Sequence, residues 1–101
     1  MVKKSEVVEV EHNGQKYRVT VGKITYGQRN AILRKAMITK YEGGRMITNF
    51  DYVVLEEEVT VAAIKAVEPA VEDVRKWLQS LEFDEARKII NVALKMNPLQ
   101  T

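Results

Sequence analysis

The stretch Asn49–Val67, NFDYVVLEEEVTVAAIKAV, decides the fold, because as an α-helix it is apolar on two opposite faces. A rotation of about 100° per residue assigns to the first face Phe50, Val53, Val54, Val61 and Ile64. The second face receives Tyr52, Leu55, Val59, Ala62, Ala63 and Ala66. Two explanations are open. The helix is either central and covered on both sides by its own domain, or it packs one face against a second protein.

Two further features of this stretch bear on that choice. Glu57 lies in the middle of the first face, and a carboxylate is accommodated more easily at a rim or a partner surface than in a closed core. Thr48 or Asn49 can cap the helix, and Pro69 ends it near Val67. Because the segment is rich in β-branched residues, a strand across part of residues 52–61 is an alternative.

Composition limits the classes of function. The 101 residues predict one domain, 1–101, and they include no cysteine and one histidine. This excludes disulfides, thiol nucleophiles and multi-histidine metal sites within one chain. No apolar run approaches the ~20 residues of a membrane span, and MVKKSEVVEV lacks the apolar core of a signal peptide. We therefore expect a soluble protein of the cytoplasm, with no membrane association, cofactor or small-molecule substrate.

Residues 7–21 predict an N-terminal β-hairpin, because Asn13-Gly14 between alternating runs favours a two-residue type I′ turn. That turn pairs Glu11 with Lys16, Val10 with Tyr17, Glu9 with Arg18, and Val8 with Val19. The apolar pairs then share one face and the two opposite-charge pairs share the other.

Thr25 and Gln28 have the spacing of a capping box, which predicts a helix from Thr25 to about Lys40. The segment from Tyr41 to Ile47 has Gly-Gly at its centre and predicts a turn or a flexible loop.

The basic residues of the first predicted helix are Arg29, Arg34 and Lys35. They belong to a half of the chain with excess positive charge, +6 over residues 1–40 against −4 over residues 41–101. A nucleic-acid-binding regulator is therefore an alternative function, although a solvated helix face explains the same residues. The net charge of +2 does not demand an anionic partner.

The C-terminal part predicts two helices. A short helix after Pro69 extends to about Ser80 and carries Trp77 as a core anchor. Asp84 can cap a last helix with Phe83 facing inward, and Asn97-Pro98 stops it. The fold class is then α+β and mostly helical, with an N-terminal β-hairpin followed by about four α-helices over residues 25–97.

No catalytic motif, metal-ligand spacing or dinucleotide fingerprint is present, so the sequence predicts no enzyme. Two segments carry a resemblance: KYRVTVGKITYGQRNAI near the N-terminus and VRKWLQSLEFDEARKIINVALKMNPL near the C-terminus. Both are similar to the small tail assembly chaperones of long-tailed phages and related archaeal proviruses. In that family a glycine is expected where Asp84 and Glu85 stand.

The resemblance implies a non-enzymatic protein that coats the tape-measure protein and recruits tail-tube subunits. A chaperone of this kind needs exposed apolar helix surface, and copies that associate could line up along a long partner. The hypothesis at this point assigns partner binding to Tyr52, Leu55, Val59 and Ala63. A structural protein that joins the viral head to the tail is a further alternative.

Overall fold

A computed structural model describes residues 4–99 of the protein. Residues 1–3, 100 and 101 lie outside the described range. The start of the segment MVKKSEVVEV and both ends of the predicted domain 1–101 therefore lie outside it too. The elements are β1 (Ser5–His12), β2 (Gln15–Gly22), α1 (Tyr26–Ala36), β3 (Met37–Glu42), β4 (Arg45–Phe50), α2 (Tyr52–Ala63), β5 (Ile64–Glu68), α3 (Val74–Ser80) and α4 (Phe83–Met96). The strands form one antiparallel sheet in the order β1-β2-β5 and a separate ribbon, β3-β4.

The N-terminal hairpin is confirmed with its predicted register. All four predicted pairs are present, from Val8 with Val19 to Glu11 with Lys16. Asn13 and Gly14 have φ angles of 51° and 76°, as a type I′ turn requires. The capping box is confirmed as well. The Thr25 hydroxyl accepts from the backbone N–H of Gln28, and the side-chain oxygen of Gln28 accepts from the backbone N–H of Thr25.

The prediction for residues 37–50 is only partly confirmed. Helix α1 ends at Ala36 instead of Lys40, and of the turn or flexible loop predicted for residues 41–47 only the turn is present, at the tip of a second β-hairpin. Gly43 and Gly44 have φ angles of 55° and 79° and form its two-residue turn. The α+β class with four helices is confirmed, but 46% of the described residues are helical and 34% lie in strands, so "mostly helical" overstates the helix content.

The pivotal stretch forms a shorter helix than predicted. Asp51, not Thr48 or Asn49, caps α2, because its carboxylate accepts from the amides of Val53 and Val54. Residues 52–61 are helical, so the alternative prediction of a strand within them is wrong. A strand, β5, follows the helix instead. It pairs with β2 and completes the sheet.

Helix α2 is central. Leu55 and Val59 pack with Ile32 of α1 in one buried cluster, whereas Ala63 packs with the sheet and with Trp77 in another. Three of the four residues assigned to partner binding are thus buried, with exposed fractions of 5% for Leu55 and 0% for Val59 and Ala63. The assignment of these three to an exposed surface is corrected: their helix face is core.

The C-terminal helices cover the sheet. Trp77 is buried as predicted, with its ring centroid 5.1 Å from that of Tyr17. Ile89 and Ala93 of α4 are fully buried. Phe83 was predicted to face inward, but its side chain is 80% exposed, and Glu82 rather than Asp84 is the cap residue of α4.

Candidate protein-binding surfaces

Exposed apolar side chains are concentrated in one part of the molecule. Of the eleven exposed large hydrophobic residues in the described chain, eight fall between Met37 and Val53. Single exposed apolar residues are ordinary on a protein surface, whereas clusters of them mark sites of association. The ribbon β3-β4 and the start of α2 are therefore the first candidates for a functional surface.

One face of the ribbon is free of charge. The register pairs Met37 with Phe50, Thr39 with Thr48, and Tyr41 with Met46. Directly opposed residues of antiparallel strands lie on the same face, so these six side chains form one continuous surface, which we call the apolar strip. The opposite face carries Ile38, Lys40, Glu42, Arg45, Ile47 and Asn49.

The ribbon projects from the domain as an arm. Every residue of both strands is exposed, and a backbone hydrogen bond of 2.8 Å from the Asp51 amide to the Ala36 carbonyl closes the base. The radius of gyration is 15.4 Å, against roughly 13 Å for a compact chain of this length. A two-stranded hairpin is marginally stable in water unless something packs against it. An uncovered arm is therefore expected to gain stability from a partner.

An apolar groove lies at the base of the arm, on the side of the apolar strip. Its volume is about 580 Å³, and Phe50 belongs to both surfaces. Arg29 of α1 and Glu56 of α2 supply the charges of its walls. We call it the base groove, lined by Arg29, Leu33, Phe50, Tyr52, Leu55, Glu56, Leu94, Pro98 and Leu99.

A second groove, of about 430 Å³, lies between α2, α3 and α4. Its apolar lining includes Leu78, Leu81 and Ile90, and we call it the helix groove. Val53 and Phe83 line it as well and are 74% and 80% exposed.

Ion pairs fix the helices around these grooves. Arg87 of α4 donates to Glu56 of α2 at 3.0 Å. Glu58 of α2 accepts from Arg75 of α3 at 2.7 Å and from Lys35 of α1 at 2.8 Å. The hydrogen bond from Arg75, followed by the interaction with Lys35, lowers the pKa of the Glu58 carboxyl despite its partial burial.

Replacing Glu58 by glutamine removes its ion pairs and is expected to lower the free energy of unfolding by about 1 kcal/mol at pH 7. The loss is small because Arg75 is partly solvated. A carboxyl group whose pKa is lowered by folding stabilises the folded state at pH values above its unfolded-state pKa of about 4.3. This stabilisation is lost as the pH falls through the folded-state pKa. The difference between wild type and variant should therefore shrink below about pH 4. Urea unfolding at pH 7 and pH 3 measures it. Exposed Glu72→Gln is the control, and equal effects of the two substitutions would count against the network.

Of the residues predicted to bind partners or nucleic acid, Arg29, Tyr52 and Leu55 line the base groove together, whereas the others do not line it. Tyr52 is 77% exposed at the mouth of the base groove. Arg29 is half-buried in the base groove wall, whereas Arg34 and Lys35 are exposed. Lys35 is held by Glu58. The three basic residues therefore do not form one free cationic patch.

Other chemistry is not evident in the described chain. A depression beside the N-terminal turn is lined by Glu11, Glu82, Asp84 and Glu85, yet no group of three or more ligating side chains within residues 4–99 could hold a metal ion. No helix of that part of the chain is both long enough and apolar enough to cross a membrane.

Sequence reasoning missed the arm, which holds six of the eleven exposed large hydrophobic residues of the described chain. The signal was present: MIT occurs on each side of a Gly-Gly turn, at residues 37–39 and 46–48, and β-branched residues flanking such a turn favour a hairpin. Comparison with known protein families, with characterised proteins and with solved structures gives no match. The surfaces of the protein are therefore the basis for proposing a function.

Proposed function

We propose that this chain is a non-catalytic protein-binding module of the tail-assembly-chaperone kind. In this proposal it acts in the host cytoplasm and holds a helical segment of the tape-measure protein until tail-tube subunits are recruited. One observation carries the proposal: an apolar groove between three helices is left uncovered and is flanked by exposed Val53 and Phe83.

The exposure of Phe83 is costly for an isolated domain. Full burial of a phenylalanine side chain contributes about 1.5–3 kcal/mol, and here most of its surface stays in water. Helix α4 places its other large apolar residues, such as Ile89, toward the core, so Phe83 stands apart from the pattern of its own helix. A partner that covers Phe83 gains this free energy.

The walls of the helix groove suit a helical partner. Three helices form its walls, and an amphipathic helix binds such a groove through apolar residues spaced three and four positions apart. The polar side chains at its rim are already engaged, since Gln79 donates to Glu57 and Arg87 donates to Glu56. A small-molecule site would instead be expected to present free polar groups that orient a ligand.

Two alternatives have less support. A nucleic-acid-binding regulator would need a cationic surface, but the apolar strip is uncharged and Lys35 is paired with Glu58. A head-to-tail joining protein could use the same apolar surfaces. It would be retained in the finished particle, whereas a chaperone should be absent from it.

Replacing Val53 and Phe83 together by serine is expected to weaken binding to the tape-measure protein of the same viral or proviral genome at least tenfold. Both side chains are more than 70% exposed, so the fold should be unaffected. Isothermal titration with the purified proteins measures the dissociation constant.

The matched control is Tyr26→Ser, which removes an aromatic side chain of equal exposure, 79%, outside the groove. It should bind like the wild type. Unchanged binding by the Val53/Phe83 variant would overturn the assignment of the groove. Failure of the wild type to bind, or a genome that encodes no tape-measure protein, would overturn the proposed function.

A further inference from the structure

We propose that the base groove binds an amphipathic carboxylate of the fatty-acid class, whose anionic head pairs with Arg29 and whose one hydrocarbon chain fills the groove. Such a ligand site goes beyond the proposed function, which assigns protein binding to the helix groove. The ligand is bound and not transformed, so the chain remains non-catalytic.

The size and lining of the base groove suit one hydrocarbon chain. Its volume of about 580 Å³ lies within the roughly 300–1,000 Å³ that is usual for small-molecule sites. Six of its nine lining residues are apolar: Leu33, Phe50, Leu55, Leu94, Pro98 and Leu99. A hydrocarbon chain matches such walls, because it needs no hydrogen-bond partners and gains free energy when it leaves water.

The charge available to a ligand in this groove is positive. Two charged residues line it, Arg29 and Glu56. Glu56 is already paired, because its two carboxylate oxygens accept from Arg87 at 3.0 and 3.1 Å. Arg29 is half-buried, and its guanidinium forms no ion pair within residues 4–99.

An unpaired arginine beside apolar walls favours a carboxylate. A charged group that loses part of its water without gaining a counter-charge raises the free energy of the protein. A carboxylate compensates this loss, because it accepts two parallel hydrogen bonds from one guanidinium. Leu33 follows Arg29 by four residues, so the two side chains are neighbours on one face of α1. The cation therefore lies next to the apolar wall, as a ligand with a charged head and an apolar chain requires.

Two other occupants fit the base groove less well. A peptide strand needs partners for its own amides and carbonyls, but α1 and α2 use their backbone groups within the helices. A membrane surface attracts clusters of basic residues, whereas Lys35 is paired with Glu58 and Arg34 lies outside the groove. A ligand with one anionic group matches the one unpaired cation that the described residues place there.

The first experiment measures the binding of sodium decanoate to the full chain by isothermal titration, below the concentration at which decanoate forms micelles. The Arg29→Gln variant should bind at least tenfold more weakly, because it loses a charged hydrogen-bond partner of the head group. Arg34→Gln is the matched control, since Arg34 is an exposed arginine of the same helix outside the groove, and it should bind like the wild type. A wild type that does not bind decanoate, or equal affinities of the two variants, would overturn the proposal.

The second experiment varies the ligand and uses the wild type alone, so its outcome does not depend on the folding of a variant. The affinities of octanoate, decanoate and dodecanoate should rise roughly tenfold with each two methylene groups that are buried. Decyltrimethylammonium has a decyl chain with a cationic head and should bind at least tenfold more weakly than decanoate. Equal affinities across the chain lengths, or for the two head groups, would each contradict the proposed site.

A third experiment locates the ligand relative to the helix groove. The Val53→Ser/Phe83→Ser variant should bind decanoate like the wild type, because both substitutions lie in the helix groove. Glu56 is the one lining residue that the two grooves share, and it is unchanged in this variant and in Arg29→Gln. Loss of decanoate binding in the Val53/Phe83 variant would place the ligand in the helix groove and overturn the assignment.

The remaining outcomes distinguish the ligand from a protein or a membrane. Displacement of decanoate by the tape-measure protein would make the base groove part of a protein interface. Sedimentation of the protein with vesicles of phosphatidylglycerol and phosphatidylcholine would indicate a membrane surface as the ligand. Either result would overturn the proposal of a free carboxylate. A wild type that binds decanoate but not the tape-measure protein would support the ligand site and overturn only the proposed function.

Discussion

Replacing Leu55 and Val59 together by glutamate is expected to unfold the protein. Both side chains are buried between α1 and α2, with exposed fractions of 5% and 0%. Two carboxylates placed there have no counter-charge in the cluster, and burial of an unpaired charge costs several kcal/mol each. That sum is comparable to the 5–15 kcal/mol by which a domain of this size is stable.

The control for this experiment lies on the same helix. Val53→Glu introduces the same charge at a position that is 74% exposed and should leave the fold intact. Far-ultraviolet circular dichroism and the thermal melt distinguish the two variants. A folded Leu55/Val59 double variant would show that this face of α2 is accessible after all.

The two faces of α2 illustrate what periodicity can and cannot predict. The pattern identified a helix that is apolar on two opposite faces, although α2 is shorter than predicted at both ends, and such a helix is central in a small domain. Periodicity does not say what covers each face, because Ile32, Trp77 and the sheet come from distant parts of the chain. The exposed residues Val53 and Tyr52 lie in the first turn, where the helix emerges from the core.

Local signals predicted the elements that depend on local chemistry. The Asn13-Gly14 turn sets the register of the first hairpin, and Thr25 with Gln28 sets the start of α1. Both depend on residues within a few positions of each other, so no distant contact could override them.

Elements stabilised by distant pairing could not be located this way. Strand β5 exists because Val67 pairs with Val19, across more than forty intervening residues. A helical continuation of α2 would satisfy the same backbone groups locally, so the sequence alone favoured helix through residue 67. The start of β3 is similar, since Met37 suits either structure and its pairing with Phe50 decides the outcome.

Asn97 does more than end helix α4, because its side chain joins that end to the link between β2 and α1. Its amide oxygen accepts from the Ile24 amide at 2.9 Å. Its amide nitrogen donates to the carbonyls of Gly22 and Ala93, both at 3.0 Å. The residue is 8% exposed, so these bonds tie the link between β2 and α1 to the end of α4.

Replacing Asn97 by aspartate is expected to lower the free energy of unfolding by about 3 kcal/mol at pH 7, more than the roughly 2 kcal/mol expected for alanine. The carboxylate can still accept from Ile24, but it turns an anionic oxygen toward the carbonyls of Gly22 and Ala93, which need a donor. Urea unfolding measures both variants. The control is Asn91→Asp on the exposed side of the same helix, where the side chain accepts from Arg87 and the change should be harmless.

The pH dependence of the stability of the Asn97→Asp variant tests whether the amide hydrogens of Asn97 are needed. Two facing carbonyls favour the protonated form of the new carboxyl, so its folded-state pKa is expected above the unfolded value of about 3.9. Such a group stabilises the fold below that value, and the stabilisation is lost as pH rises through the folded-state pKa. The deficit relative to wild type should therefore narrow near pH 3. A deficit equal at pH 3 and pH 7 would mean that the amide hydrogens of Asn97 do not hold these segments together.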